Sequence, residues 1–145
     1  MRAAAATLRE RGAELIFHVG DVGGRHVLDE MKEIESAFVW GDTDKDRMGL
    51  LRHAQRIGVA CYGVLADVDF DGKRVAFLHG DDKKLLQRLL AEQQHDFVIW
   101  GHGLEGEEKI VGKTHVVHPG SLHGGTARSA ALVDTDSNAV ELLKV

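Results

Sequence analysis

Two aspartates and two histidines stand in the same local setting at four places in this sequence. Gly20-Asp21 follows the apolar run Leu15–Val19, and Gly41-Asp42-Thr43-Asp44 follows Ala37–Trp40. His79-Gly80-Asp81-Asp82 follows Val75–Leu78, and Gly101-His102-Gly103 follows Phe97–Trp100. In open α/β sheets, ligands bind in the crevice beyond the carboxyl ends of the strands. Glycine at such an end permits a sharp turn and a close backbone approach. Asp21, Asp42, His79 and His102 meeting at that edge would hold one divalent cation, with the two carboxylates neutralising its charge. The mixed oxygen and imidazole set suits Mn, Fe, Zn or Ni better than Ca or Mg. Singly, a Gly-Asp after a strand is an ordinary turn or helix cap, and a lone His is an ordinary structural residue. The fourfold repetition is what points to a site.

The elements that would position these groups are legible from apolar spacing. The four runs are short and nearly continuous in apolar character, as strands buried on both faces are. Between them, His26 to Glu35 places Val27, Met31 and Ile34 on one helical face. Asp82 to Gln93 does the same with Leu85, Leu86, Leu89 and Leu90, and Asp81 and Asp82 stand where an N-cap and the helix dipole favour a carboxylate. Ala3 to Arg11 also reads as a helix, stopped at Gly12. Tyr62–Phe70 and Lys73–Leu78 flank Asp71-Gly72, a tight hairpin signal. Lys109–Val111 with Thr114–Val117, and Ala130–Asp134 with Ala139–Leu143, read as two further hairpins. The front half is thus βα-like and the back half antiparallel. The expected fold class is α/β of the α+β type, with mixed sheets packed together and helices outside.

Composition narrows the function classes. At 145 residues the chain fits a single domain, expected over residues 1–145, with 43% hydrophobic and 28% charged residues. No apolar run approaches the ~20 residues that span a bilayer. The start lacks the apolar stretch of a secretion signal. Cys61 is the single cysteine and cannot form an internal disulfide, so a reducing cytoplasmic home is expected. The net charge of −5, with Lys and Arg scattered, argues against nucleic acid as the main partner.

The order Gly20-Asp21, Gly41-Asp42-Thr43-Asp44, His79-Gly80, Gly101-His102, His118-Pro119-Gly120-Ser121-Leu122 resembles the calcineurin-like metallophosphoesterases. It is most similar to their small bacterial and archaeal phosphodiesterase and phosphatase branch, over nearly the whole chain. The resemblance implies two mixed β-sheets packed face to face with flanking helices. It also implies a two-metal site that hydrolyses phosphate mono- or diesters. By position, Asp21 matches the aspartate that bridges the metals, while Asp42, His79 and His102 match the other ligands of the second metal. Asp42 stands where the family usually has Asn. The family opens with a strand ending in Asp-x-His, which binds the first metal; that strand is expected to be missing here. Leu104 stands where a second His of the fourth motif binds the first metal, and His118 replaces an Asn.

The missing strand and Leu104 remove the ligands private to the first metal, while the second metal's set is intact or conservatively changed. The expectation is therefore a phosphoesterase with one divalent metal per chain, manganese among the candidates, acting weakly on a small phosphate ester. The alternative is a catalytically inactive scaffold on the same fold, as the retromer subunit exemplifies. A sheet edge left open by the missing strand would favour association, so a homodimer is also expected. Of the remaining histidines, His18 reads as a core or inter-sheet residue, His26, His53 and His95 as solvated on helix-like segments, and His118 and His123 as flanking a turn near the site. Thr43 occupies a slot where some relatives carry His as a general acid, a role a hydroxyl does not fill at neutral pH.

Overall fold

The four apolar runs supply strands, although the second strand covers Glu35–Phe38 rather than Ala37–Trp40, and a helix over Arg47–Ile57 joins the expected helices and hairpins. The structure, a computed structural model, describes residues 1–124 and 127–145. Its elements are α1 (Arg2–Glu10), β1 (Leu15–His18), α2 (Arg25–Asp29), β2 (Glu35–Phe38), α3 (Arg47–Ile57) and β3 (Ala60–Cys61). The hairpin β4 (Leu65–Phe70) and β5 (Lys73–Leu78) follows, then α4 (Lys83–Glu92) and β6 (Phe97–Trp100). Two hairpins end the chain: β7 (Glu107–Val111) with β8 (Thr114–His118), and β9 (Ser129–Asp134) with β10 (Ala139–Lys144).

The strands form two layers with helices outside. One layer is a mixed five-stranded sheet, β4-β5-β6-β8-β7, in which β5, β6 and β8 run parallel. The other contains the parallel trio β1-β2-β3 and, hydrogen-bonded separately, the antiparallel pair β9-β10. Val39, Val75, Phe77, Phe97, Ile99 and Val117 fill the space between the layers. Phe17 of β1 stacks on Phe77 of β5 with ring centroids 3.7 Å apart, tying the two layers together directly. Helices α1, α2 and α3 cover the trio's outer face through Leu8, Leu28, Leu50 and Ala54 against Phe38 and Ile16. Leu89 of α4 covers Ala76, Leu78 and Val98 on the other side.

Local chemistry sets the boundaries. Asp82 caps α4 by accepting the N–H groups of Lys84 and Leu85, both at 3.0 Å. The helix expected over His26–Glu35 is cut to Arg25–Asp29. The Ser36 hydroxyl lies 2.8 and 2.9 Å from the Met31 and Ile34 carbonyls, so this stretch closes as turns and β2 starts at Glu35. Helix α3 carries its own signals: Asp46 accepts the Gly49 N–H, and Gly58 ends the helix in the left-handed region at φ 80°.

Two histidines expected in solvent are buried instead. His53, on α3, faces α2: Nε2 lies 2.9 Å from Asp29, and Arg56 lies 2.8 Å from Nδ1. His95 lies in the connection after α4, not on the helix, and is almost wholly enclosed beside Asp67. His53 trades water for a carboxylate, whereas His95 has Asp67 at 3.3 Å and no hydrogen-bond partner at either ring nitrogen, neither of which apolar spacing reveals.

Candidate functional site

The carboxyl ends of β1 and β2 in one layer, and of β5 and β6 in the other, come together at one edge. The chain past β1 turns at Gly20 and places Asp21 at φ 55°, while the chain past β6 places His102 at φ 59°. Left-handed conformations in non-glycine residues cost energy and gather where the surroundings enforce them, which is common at functional sites. Two glycines make the close approach possible. A Cβ on Gly20 would lie 2.6 Å from Nδ1 of His79, and one on Gly41 would overlap the Asp21 carboxylate.

His79 anchors the cluster. It is 4% exposed, and Nδ1 lies 2.7 Å from the Val19 carbonyl oxygen. A carbonyl only accepts, so Nδ1 carries a proton and Nε2 is the nitrogen that faces the site, as a lone pair when the ring is neutral. That Nε2 is buried, has no hydrogen-bond partner, and lies 3.2 Å from Asp42 Oδ1 and 3.5 Å from Asp21 Oδ2. His102 Nε2 lies 3.9 Å from the same Asp42 oxygen, and its ring meets that of His79 nearly edge-on at 5.1 Å. A lone pair aimed at two carboxylates is repulsive unless a cation or a proton lies between them.

The spacing fits a metal. Donor atoms about 2.1 Å from a tetrahedral ion are roughly 3.4 Å apart. One ligand atom each from Asp42, His79 and His102 lies within 4.8 Å of the others. Asp21 adds a fourth group facing His79. A histidine that donates its second N–H to a backbone carbonyl has the arrangement metal-binding imidazoles usually show.

Backbone groups hold the acids in place. Thr43 N–H donates to Asp21 at 3.0 Å. Burial works to raise the Asp21 pKa, but the Thr43 hydroxyl and N–H and the nearby His79 and His102 outweigh it, so the carboxyl sits below its usual value. The buried Asp44 accepts the N–H of Gly41 at 2.8 Å and of Gly23 at 3.4 Å, which fixes the loop carrying Asp42. Arg47 closes that loop from outside, donating to the Gly41 carbonyl at 3.0 Å with its guanidinium over Trp40. Asp44 and Arg47 are thus positioning residues that sequence reasoning did not single out. Asp44 shows only as a second acid in an acidic loop, and its partners are backbone amides.

The other residues near the edge sort by contact. Leu104 is 55% exposed at the rim, beyond His102. His118 is buried against Trp100 with centroids 4.7 Å apart, and its Nδ1 accepts the Gly120 N–H at 3.0 Å. It braces the turn at Pro119. His123 is exposed. His18 lies beneath the site with Nδ1 buried and unpartnered. Among the described residues no helix is long and apolar enough to cross a membrane.

Solved structures with this arrangement of elements include a novel archaeal phosphodiesterase, 20% identical, with a TM-score of 0.91 over 99% of this chain and 90% of that one. A predicted phosphoesterase from Streptococcus pneumoniae is 15% identical, with a TM-score of 0.61 over 99% and 91%. Vps29 from Entamoeba histolytica, solved with Zn2+, is 16% identical, with a TM-score of 0.55 over 90% and 97%. At these identities the likeness is one of fold. No curated protein sequence matches the chain. The calcineurin-like phosphoesterase superfamily domain matches residues 1–138, nearly the full length, and the chain belongs to that superfamily.

Proposed function

We propose that this protein hydrolyses small phosphate esters with one divalent metal ion held by Asp21, Asp42, His79 and His102. The observation that carries the reading is the buried Nε2 of His79, oriented by the Nδ1 hydrogen bond to Val19 and facing two carboxylates. When bound, a divalent ion supplies positive charge that polarises the phosphoryl group and makes an attacking water more acidic. Asp21 and Asp42 offset the charge of the ion, and His79 and His102 complete a mixed oxygen and nitrogen set suited to Mn, Fe, Zn or Ni. Thr43 and Asp44 hold the acids in register through backbone hydrogen bonds. The exposed faces of Asp42 and His102 leave the substrate side open. The lone half-buried Cys61 suits a reducing, cytoplasmic setting.

The test is hydrolysis of bis(p-nitrophenyl) phosphate and p-nitrophenyl phosphate by protein loaded with Mn2+. The reading expects turnover that chelation removes and that His79→Ala brings to the metal-free rate. A second reading is a scaffold without catalysis, favoured by Leu104, which brings an alkyl group to the rim where the family motif carries an imidazole. A folded, metal-loaded protein with no metal-dependent turnover on either ester would establish it.

A further inference from the structure

A hollow of about 340 Å3 adjoins the candidate site between the starts of α2 and α3. The chain after β1 supplies Gly23 and Gly24, and Arg25 opens α2. The loop after β2 supplies Thr43 and Lys45, and the buried Leu50 of α3 closes the hollow with an alkyl group. Gly23 and Thr43 also border the cleft lined by Asp21, His79 and His102, so the hollow and the candidate site share a wall. Thr43 follows Asp42 directly, and its N–H holds Asp21 at 3.0 Å. One step along the chain is about 3.8 Å. Groups seated in the hollow and at the four ligands can therefore belong to one small molecule.

Two acids and two bases border the hollow, and they are unequally engaged. Asp44 is 5% exposed, and each of its oxygens accepts a backbone N–H, from Gly23 and from Gly41. Asp46 accepts the Gly49 N–H as the cap of α3. Both acids thus serve their own backbone. The bases do not. The Arg25 side chain is 59% exposed and lies 3.8 Å from Asp46, beyond hydrogen-bond reach. The Lys45 ammonium donates to the Asp42 carbonyl at 2.9 Å, a neutral acceptor that leaves its charge uncompensated and two N–H groups unused among the described residues. What faces the hollow is therefore a guanidinium fork and an ammonium above an alkyl floor. A fork of that kind matches two oxygens of a phosphate, and the ammonium adds a point charge.

We propose that Arg25 and Lys45 bind a second phosphate of the substrate, so that the preferred ester is a small bisphosphate with a short uncharged linker. One phosphate lies at the metal ligands Asp21, Asp42, His79 and His102, and the other lies in the hollow with the linker against Leu50. The inference rests on the hydrolytic reading above and names its substrate class. Hydrolysis adds water across one P–O ester bond: the water oxygen goes to phosphorus, and the alcohol leaves with a proton, still carrying the second phosphate. That second phosphate does not react. Arg25 and Lys45 are specificity residues that hold the substrate by its far end.

Two measurements test it. The first titrates inorganic phosphate into metal-free protein and follows backbone amide shifts by NMR. Without a cation, Asp21 and Asp42 repel an anion, so binding reports the hollow alone. Saturable shifts are expected at Gly23, Gly24 and Lys45. Arg25→Gln should bind phosphate at least about fivefold more weakly, the low end for a charge-assisted hydrogen bond at an exposed position. Arg25→Lys, which keeps the charge, should recover most of the loss. Lys113→Gln, at the turn between β7 and β8, is the control and should change nothing. The second measurement compares release of inorganic phosphate from 1,3-propanediol bisphosphate and from propyl phosphate by the Mn2+-loaded protein. The bisphosphate should show a kcat/KM at least about fivefold higher, and Arg25→Gln with Lys45→Gln should bring the ratio of the two towards one. Equal efficiency on the two esters, or phosphate binding indifferent to Arg25→Gln, overturns the assignment and leaves the hydrolytic reading standing. Phosphate held in the hollow with no turnover of either ester overturns the hydrolytic reading instead, and the hollow is then an anion site without that chemistry.

Discussion

His18 makes the folded state sensitive to mild acid, by an amount that follows from its surroundings. Its Nδ1 is buried beneath the candidate site without a hydrogen-bond partner. Burial pushes its pKa down from 6.5 to about 4, against the opposing pull of Asp44. The folded state thus resists protonation that the unfolded chain accepts. The stabilisation is fully present above the unfolded value of 6.5 and is lost as pH falls from there toward 4. At about pH 5 the unfolded chain holds nearly a full proton at this position and the folded chain about a tenth of one, a loss of about 2 kcal/mol. His18→Leu keeps a side chain of comparable size and removes both the titration and the orphaned nitrogen. Urea unfolding of metal-free protein at about pH 7.5 and about pH 5 measures the effect. The wild type should lose about 2 kcal/mol more than the variant between the two conditions. Equal losses, within about 0.5 kcal/mol, would show that the ring is charged or solvated in the folded state and would refute the reasoning.

Asp44→Ala removes the acceptor that fixes the Gly41 and Gly23 amides, so Mn2+ affinity should fall by about 10- to 100-fold in a calorimetric titration, as supporting partners of metal ligands typically show. Gly41→Ala drives a methyl group into the Asp21 carboxylate; urea unfolding should report a loss of about 1–3 kcal/mol. Asp82→Ala uncaps α4 and should cost about 1 kcal/mol in the same assay, leaving metal affinity unchanged because Asp82 bonds only to its own helix.

The strand ends were legible because β1, β5 and β6 are continuous apolar runs that stop abruptly at glycine beside a polar residue. Asp21, Asp42, His79 and His102 could be named from that pattern, and the structure brings all four to one edge. Helix α3 was harder to see, because Gly49 and His53 interrupt its apolar face at Leu50, Ala54 and Ile57. The long helix expected from His26 ends at Asp29 because the Ser36 hydroxyl, invisible to apolar spacing, binds the carbonyls behind it. His53 and His95 looked solvated because the acids beside them, Asp29 and Asp67, lie 24 and 28 residues away along the chain. Asp44 escaped notice for a related reason: its partners are backbone amides, which carry no sequence signature. The separation of β9-β10 from β1-β2-β3 is a matter of non-local pairing, which no local pattern encodes.

The central claim is that these four side chains hold a divalent ion, and counting bound metal tests it most directly. After dialysis against Mn2+, and separately against Zn2+, elemental analysis should find about one ion per chain. His79→Ala should carry none while keeping a cooperative unfolding transition. A wild-type chain that is folded yet binds no ion in either case would contradict the account.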